Sequence, residues 1–313
     1  MSRIKPLYDN IRLNAVIVSD THIDEKHPMP FLPKARLNRA LKDSQRSKSP
    51  VDVFLTVGDT TSRGSRANWE LSVDCFSKYT PAKKVIFTVG NHDCWNDDGF
   101  DAAISEYYAY FEKICGDKIN RPYYSYVING YHFVFLGNDS DAGCEANISD
   151  EQFDWFRDEM KKAGDSGKPI FVFCHQSLNG KHGLPRTWSE KEDPNAKPDE
   201  GGIGARSDEI EAEMKKYKDV FYFSGHSHMG VAGEEKQKTE GYSSIEVDEG
   251  LTLVNFPSLA CGNHHGDLNT FDIGMVLEAY DDKVVLRFRN HFRKCDVTSV
   301  SLQNGKPVFI HNL

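Results

Sequence analysis

Five short apolar runs in this chain each break off in side chains able to hold a cation. Ala15–Val18 leads to Asp20 and His22, Val51–Val57 to Asp59, and Val85–Val89 to Asn91 and His92. Ile170–Cys174 leads to His175, and Val220–Phe223 to His226 and His228. Runs this short, rich in Val, Ile and Phe, read as buried strands. In the first half they alternate with helical stretches, the sequence form of βαβ units and a largely parallel sheet. In open α/β sheets, ligands collect outside the carboxyl ends of the strands. Strands that each end in a polar side chain can therefore surround one crevice, so the pattern constrains fold and site together.

The elements follow from periodicity and turn chemistry. Asn14–Asp20 is β-rich, Lys34–Gln45 carries Leu and Ala at helical spacing, and Val51–Gly58 reads as a buried strand. A helix is expected around Trp69–Ser77, a strand at Val85–Gly90 and an aromatic-rich helix at Phe100–Ile114. Tyr124–Ile128 and Tyr131–Leu136 flank Asn129-Gly130, which suits the two positive-φ positions of a type I′ hairpin turn. Ser149 caps a helix through Lys162, with Gln152 three residues on as in a capping box. Lys168–Cys174 and Val220–Gly225 are strands, and Ile210–Lys216 is a helix. The stretch Gln176–Ser207 is polar and rich in Gly and Pro, without periodicity, as functional or mobile loops are. Beyond Met229 the pattern turns to short strands at Gly241–Val247, Gly250–Phe256, Phe271–Ala279, Lys283–Arg289 and Val308–His311. Residues 241–313 are expected to form antiparallel sheet, either within the same sandwich or as a small C-terminal extension or cap. No internal repeat or low-complexity linker marks a boundary inside 1–313.

Composition narrows the function classes. No apolar run reaches membrane-spanning length, and Met1–Asn14 is polar, with no apolar leader region. The seven cysteines are an odd, unpatterned set without a CxxC pair, which fits a reducing compartment, so a cytoplasmic protein is expected. A formal charge of −9 argues against a nucleic-acid-binding face, since that affinity rests on Lys and Arg at phosphates. Phosphates remain accessible to an acidic chain where cations sit between protein and ligand.

Asp20, His22, Asp59, Asn91, His175, His226 and His228 are too many donors for one tetrahedral zinc. They suit two divalent ions with one carboxylate bridging. In extended chain, residues i and i+2 point the same way, so Asp20 with His22 and His226 with His228 are expected to face one cluster. Gly58, Gly90 and Gly225 are expected to let the chain turn sharply at the strand ends.

The series Asp-x-His, Gly-Asp, Gly-Asn-His-Asp, His and Gly-His-x-His, spanning Asp20 to His228, resembles the calcineurin-like metallophosphoesterase superfamily. The spacing and the phrase Ser19-Asp20-Thr21-His22 look most like the bacterial branch containing class III cyclic nucleotide phosphodiesterases. The resemblance implies a single metallophosphoesterase domain over 1–313, an α/β sandwich of two mixed sheets flanked by helices. It implies that Asp20, His22, Asp59 and His228 hold a first metal ion. Asp59 would bridge to a second, completed by Asn91, His175 and His226. The ions (Mn, Fe, Zn or Co) would polarise phosphoryl oxygens and yield a bridging hydroxide for in-line attack. His92 would stand outside the metal set, near the leaving oxygen, as general acid or charge stabiliser.

One departure bears on the substrate. The protein phosphatase branch reads Gly-Asp-x-x-Asp-Arg-Gly, whereas this chain has Ser62 within Gly58-Asp59-Thr60-Thr61-Ser62-Arg63-Gly64. The carboxylate that would orient the catalytic His is missing there, unless Asp93 substitutes, and this disfavours a protein phosphatase. Arg63 suits a substrate phosphate through its bidentate fork, and Asn91 is a second candidate substrate contact. His182, Arg186 and Trp188 are candidates for leaving-group contact, Trp95 or Trp188 for base stacking, and Asn263-His264-His265-Gly266-Asp267 for specificity. Asn138, Asp139 and Asp141 read as turn residues. The expected activity is dimetal hydrolysis of a small-molecule phosphate ester, with a phosphodiester or nucleotide preferred over a monoester. A non-catalytic protein-binding scaffold and a nuclease are the rivals. The complete donor set weighs against the first and the charge against the second.

Overall fold

The computed structural model describes residues 2–184, 201–261 and 271–313. Among these, two mixed sheets face each other. In the first, β1 (Leu13–Val18), β2 (Val53–Val57) and β3 (Lys84–Thr88) run parallel in that order. On the other side of β1, β10 (Ile273–Ala279) pairs antiparallel and is followed by β11 (Lys283–Asn290). The short β12 (Cys295–Asp296) and β13 (Phe309–Asn312) both pair with β11. The second sheet begins with the hairpin β4 (Tyr124–Ile128) and β5 (Tyr131–Phe135). It continues through β6 (Ile170–Phe173), β7 (Val220–Ser224) and β9 (Leu251–Asn255), all parallel to β5, and ends in β8 (Ile245–Asp248). The C-terminal strands are thus divided between both sheets.

Period-two alternation assigns each strand one face to the middle and one to a helix layer. Ala15 and Ile17 of β1 point into the inter-sheet core, and Val16 and Val18 point outward. The outward set meets α1 (Phe31–Gln45) through Leu37, Ala40 and Leu41, and α2 (Arg66–Phe76) through Cys75 and Phe76. On the second sheet, Val172, Tyr222 and Leu253 face out against α4 (Asp150–Asp165) and α5 (Ser207–Met214). The inward residues of the same strands form a row of phenylalanines. Rings of Phe135 and Phe173 lie 5.0 Å apart, and those of Phe173 and Phe223 4.8 Å apart, nearly parallel as offset stacks prefer. Helix α3 (Phe100–Cys115) adds Tyr107 and Phe111 to this core.

The hairpin turn forms as its sequence dictates, with Asn129 at φ 52° and Gly130 at φ 82°. Helix α1 starts earlier than its periodicity suggests, at Phe31, because Pro33 is tolerated in a first turn. A short helix α6 (Glu234–Glu240) and strand β12 carry no sequence signal that announced them. The cap of α4 is half as expected. Ser149 Oγ accepts from Gln152 N at 3.1 Å, but the Gln152 side chain turns inward to bond both backbone groups of Gly137. Asp139 takes over the reciprocal role, accepting from Ser149 N at 2.9 Å. No helix among the described residues is long and apolar enough to cross a membrane.

Helix α1 is tied to the first sheet by buried charge. Asp43 accepts from Arg289 Nε at 2.7 Å and from Arg289 Nη2 at 3.2 Å, with His291 Nδ1 at 3.1 Å, and all three residues are buried. Burial pushes the Asp43 carboxyl up, but His291 and Arg289 outweigh it and hold the group below its ordinary value. A depressed carboxylate stabilises the fold above its unfolded pKa, and that contribution is lost as pH falls through the folded value. Asp43→Asn is therefore expected to cost up to about 3–5 kcal/mol at neutral pH, because buried Arg289 loses its bidentate partner and is left with Asp296, 3.7 Å away, to offset its charge. In denaturant titrations the gap to wild type should begin to narrow below about pH 4, the unfolded value, and close only as the pH falls through the lower folded value, where native Asp43 is itself protonated.

Candidate metal centre

The strand ends do not continue as extended chain. Asp20, His22, Asp59, His226 and His228 all have positive φ, between 43° and 68°. The expectation that i and i+2 side chains align through extended geometry is therefore corrected: both members of each pair sit in the left-handed region. Such residues cost on the order of 1–3 kcal/mol each and persist where neighbours over-determine them. Here the β1 and β2 loops hold one another. Asp20 N donates to Gly58 O at 3.2 Å, His22 N to Asp59 O at 3.0 Å, and Ile23 N to Thr60 O at 3.0 Å.

The glycines also act differently from expectation. Only Gly58 has a positive φ, 79°; Gly90 and Gly225 do not. What all three share is close approach. A Cβ at Gly58 would run into the His175 ring, at Gly90 into Asp59, and at Gly225 into Ser19 and the Asp20 carboxylate. Their missing side chains let donors on neighbouring strands converge.

The donors come together in two sets. Ligand atoms of Asp20, His22, Asp59 and His228 lie within 4.8 Å of one another, and so do those of Asp59, His175 and His226. Asp59 belongs to both. His228 Nε2 is 3.0 Å from Asp20 Oδ1, His175 Nε2 is 3.0 Å from Asp59 Oδ2, and His22 Nε2 is 3.6 Å from the same Asp59 oxygen. Asn91 Oδ1 is buried without a hydrogen-bond partner, a costly state that a bound cation would relieve. His175 Nδ1 meets the Val57 carbonyl at 2.7 Å, and a carbonyl can only accept. Nδ1 therefore carries the hydrogen, and Nε2 is the atom left facing the carboxylates.

Burial alone would raise both aspartates. The charges of His228 and His175 outweigh it at Asp20, and those of His175 and His92 at Asp59, so both carboxyls are held below their ordinary range. Burial lowers His22 and His226. His175 resists its own burial because Asp59 and Asp20 face it, and it is pushed up to about 9. Buried carboxylates, a carboxamide oxygen and imidazoles make a donor set that fits two divalent or transition cations.

His92 lies just outside the two sets, its ring 4.8 Å from that of His22 and edge-on to it. Its backbone N donates to Asp59 Oδ1 at 2.9 Å, and its Nδ1 meets the Ser62 carbonyl at 2.9 Å. Position 62 thus still orients the histidine, through its backbone rather than a side chain. Asp93 does not substitute for the missing acid. It accepts from Thr60 N, Thr61 N, Thr61 Oγ1 and Gly90 N at 2.8–3.2 Å, locking the β2 and β3 loops together. Burial, then the charge of Asp59, push its carboxyl up to about 6.

The outlying candidates divide. Arg63 pairs with Asp97 at 2.9 Å and lies over the Trp95 ring at 4.9 Å, and Trp95 is 54% exposed beside His92. Arg63 also lines a surface cavity of about 480 Å³ with Arg66, Asn96 and Asp97. His182 is buried and bonded through Nδ1 to the Ser243 carbonyl, next to Glu246 at 3.9 Å. Asp141 accepts from Gly143 N two residues on, as a turn residue does, whereas Asn138 is buried and accepts from Asn147 N nine residues on, tying two parts of the loop together rather than forming a turn. Arg186, Trp188 and Asn263, His264, His265, Gly266 and Asp267 lie outside the described residues. One neighbour carried no motif to announce it. Cys261, beyond β9, places its sulfur within 4.8 Å of the His22 and His228 donors. Burial, then the charge of Asp20, push this thiol up to about 12.

A sequence family described as calcineurin-like phosphoesterase matches residues 13–230. Among curated protein sequences, none matches the chain. Of solved structures, a dimetal phosphatase from Danio rerio aligns with a TM-score of 0.58 at 11% identity, over 92% of this chain and 98% of that one. A predicted phosphoesterase from Streptococcus pneumoniae TIGR4 aligns at 0.40 and 10% identity, over 96% and 98% of the two chains. Vps29 complexed with zinc from Entamoeba histolytica aligns at 0.38 and 11% identity, also over 96% and 98%. At these identities the first likeness establishes the fold, and the other two carry no argument.

If close approach is the role of Gly225, Gly225→Ala should displace Asp20. Divalent-cation affinity, measured by manganese titration, is then expected to fall about 10–100-fold, as for other supports of metal ligands. The far-ultraviolet circular dichroism should be unchanged. Wild-type affinity in the variant would refute the packing role.

Proposed function

The chain belongs to the calcineurin-like phosphoesterase family and is a metal-dependent phosphoesterase, and we propose that it hydrolyses small-molecule phosphate esters, phosphodiesters or nucleotides in preference to monoesters, at a centre of two cations. The observation that carries this reading is the meeting of two donor sets at Asp59, with His92 outside both. We assign Asp20, His22, Asp59 and His228 to one cation, and Asp59, Asn91, His175 and His226 to the other. When bound, such ions polarise a phosphoryl oxygen and lower the pKa of a shared water.

The protein's own groups then set the geometry. Asp59 is fixed on two sides, by the backbone N of His92 and by His175, so its carboxylate is held at the junction. The Ser62 carbonyl takes the Nδ1 hydrogen of His92, leaving Nε2 as the proton-bearing position for the leaving oxygen. A neutral carbonyl lends His92 less charge stabilisation than a carboxylate would. This supports the preference against phosphoproteins, which the charge of −9 does not contradict. Arg63 and Trp95, stacked beside His92, form the rim we assign to the leaving group, with Asn91 as a second contact to the phosphoryl oxygens. Cys75, Cys94, Cys115, Cys174 and Cys295 form no disulfide, which supports a reducing, cytoplasmic setting.

The deciding experiment is a substrate panel with manganese-reconstituted protein: aryl phosphate monoesters, bis-aryl phosphodiesters, cyclic nucleotides, nucleoside diphosphate derivatives, sugar phosphates and phosphopeptides. Diesters or nucleotides should be turned over fastest and phosphopeptides least. His92→Ala should lower kcat about 10²–10⁴-fold with metal content retained. Hydrolysis of neither aryl ester, together with no effect of Asn91→Ala or His92→Ala, would instead leave a protein-binding scaffold of this fold.

A further inference from the structure

We propose that Cys261 is an additional, sulfur donor to the cation position formed by His22 and His228, an inference that rests on the dimetal reading above. The three donor atoms lie within 4.8 Å of one another. Around a tetrahedral zinc, a zinc–sulfur bond of about 2.3 Å and a zinc–imidazole bond of about 2.1 Å put the donor atoms about 3.6 Å apart, so these donors would close in by up to about 1 Å. A cation between them needs only small side-chain adjustment.

The turn carrying the thiol is built onto the loop that carries the other donors. Cys261 N donates to Ser258 Oγ at 2.9 Å, and that hydroxyl donates to the Asp20 carbonyl at 2.9 Å. Leu259 N donates to the Ser19 carbonyl at 2.9 Å. Arg36 holds the Ala260 carbonyl from the side of α1. The sulfur is therefore placed by the same backbone that places Asp20 and His22, and is not the end of an independent loop.

A sulfur donor changes what the position prefers. Thiolates favour zinc, iron and cobalt, whereas carboxylate and imidazole alone leave manganese competitive. On binding, the thiol loses its proton to solvent and the sulfur lone pair forms the new bond, so no oxidant or reductant is needed.

Cobalt(II) loading of the full chain tests this without reference to activity. The cobalt protein should show a near-ultraviolet sulfur-to-cobalt charge-transfer band that is lost in Cys261→Ser and kept in Cys295→Ser, a surface control. Cys261→Ser should also weaken zinc binding by roughly tenfold or more, the least expected of a direct ligand given the losses seen for supporting residues. Manganese binding should change far less. Two bound cobalt ions without the band, or a band that survives Cys261→Ser, would overturn the sulfur assignment alone. A protein that takes up no cobalt would overturn it together with the dimetal reading.

Discussion

Two carboxylates, Asp20 and Asp59, are sealed from solvent, at 0% and 1% exposure, among four imidazoles. Removing an ionised carboxylate from water costs on the order of several kcal/mol even after relaxation, and opposite charge must offset it. That requirement organises the strand ends. The histidines, the left-handed loop residues and the side-chain-free positions at Gly58, Gly90 and Gly225 bring positive or metal-binding groups to two buried acids.

The sandwich makes this possible because the donors come from both sheets. Asp20, His22, Asp59, Asn91 and His92 follow β1, β2 and β3, while His175, His226 and His228 follow β6 and β7. The space between the two sheets is filled by inward residues of both, among them the stacked row of Phe135, Phe173 and Phe223. Core packing and site geometry are thus one problem. Close-packed interiors transmit small volume changes, and the missing side chain at Gly58 is what lets the His175 ring approach Asp59.

The strands, their order along the chain and the donor residues were legible because burial and polarity switch abruptly in the sequence at each strand end. The Asn129-Gly130 turn was legible because only a few residue types tolerate its backbone. What escaped was everything that depends on tertiary neighbours. The left-handed conformations of Asp20 and His226 come with hydrogen bonds to other loops, from Asp20 N to the Gly58 carbonyl and from His226 N to the Asp20 carboxylate, which local propensity does not announce. Gly90 and Gly225 look like turn glycines in sequence but are contact glycines in space. Ser62 seemed to remove an orienting group, yet its backbone carbonyl, which any residue would supply, does the orienting. Cys261 lies far along the chain from His22 and His228, and only the return of the chain through β9 and β10 brings it near them.

The central claim is that Asp59 joins two cation positions. Anomalous diffraction from a manganese-loaded crystal tests it most directly. The account predicts two peaks flanking the Asp59 carboxylate, one beside Asp20, His22 and His228 and the other beside Asn91, His175 and His226. A single peak, or peaks that leave Asp59 uncoordinated, would contradict it.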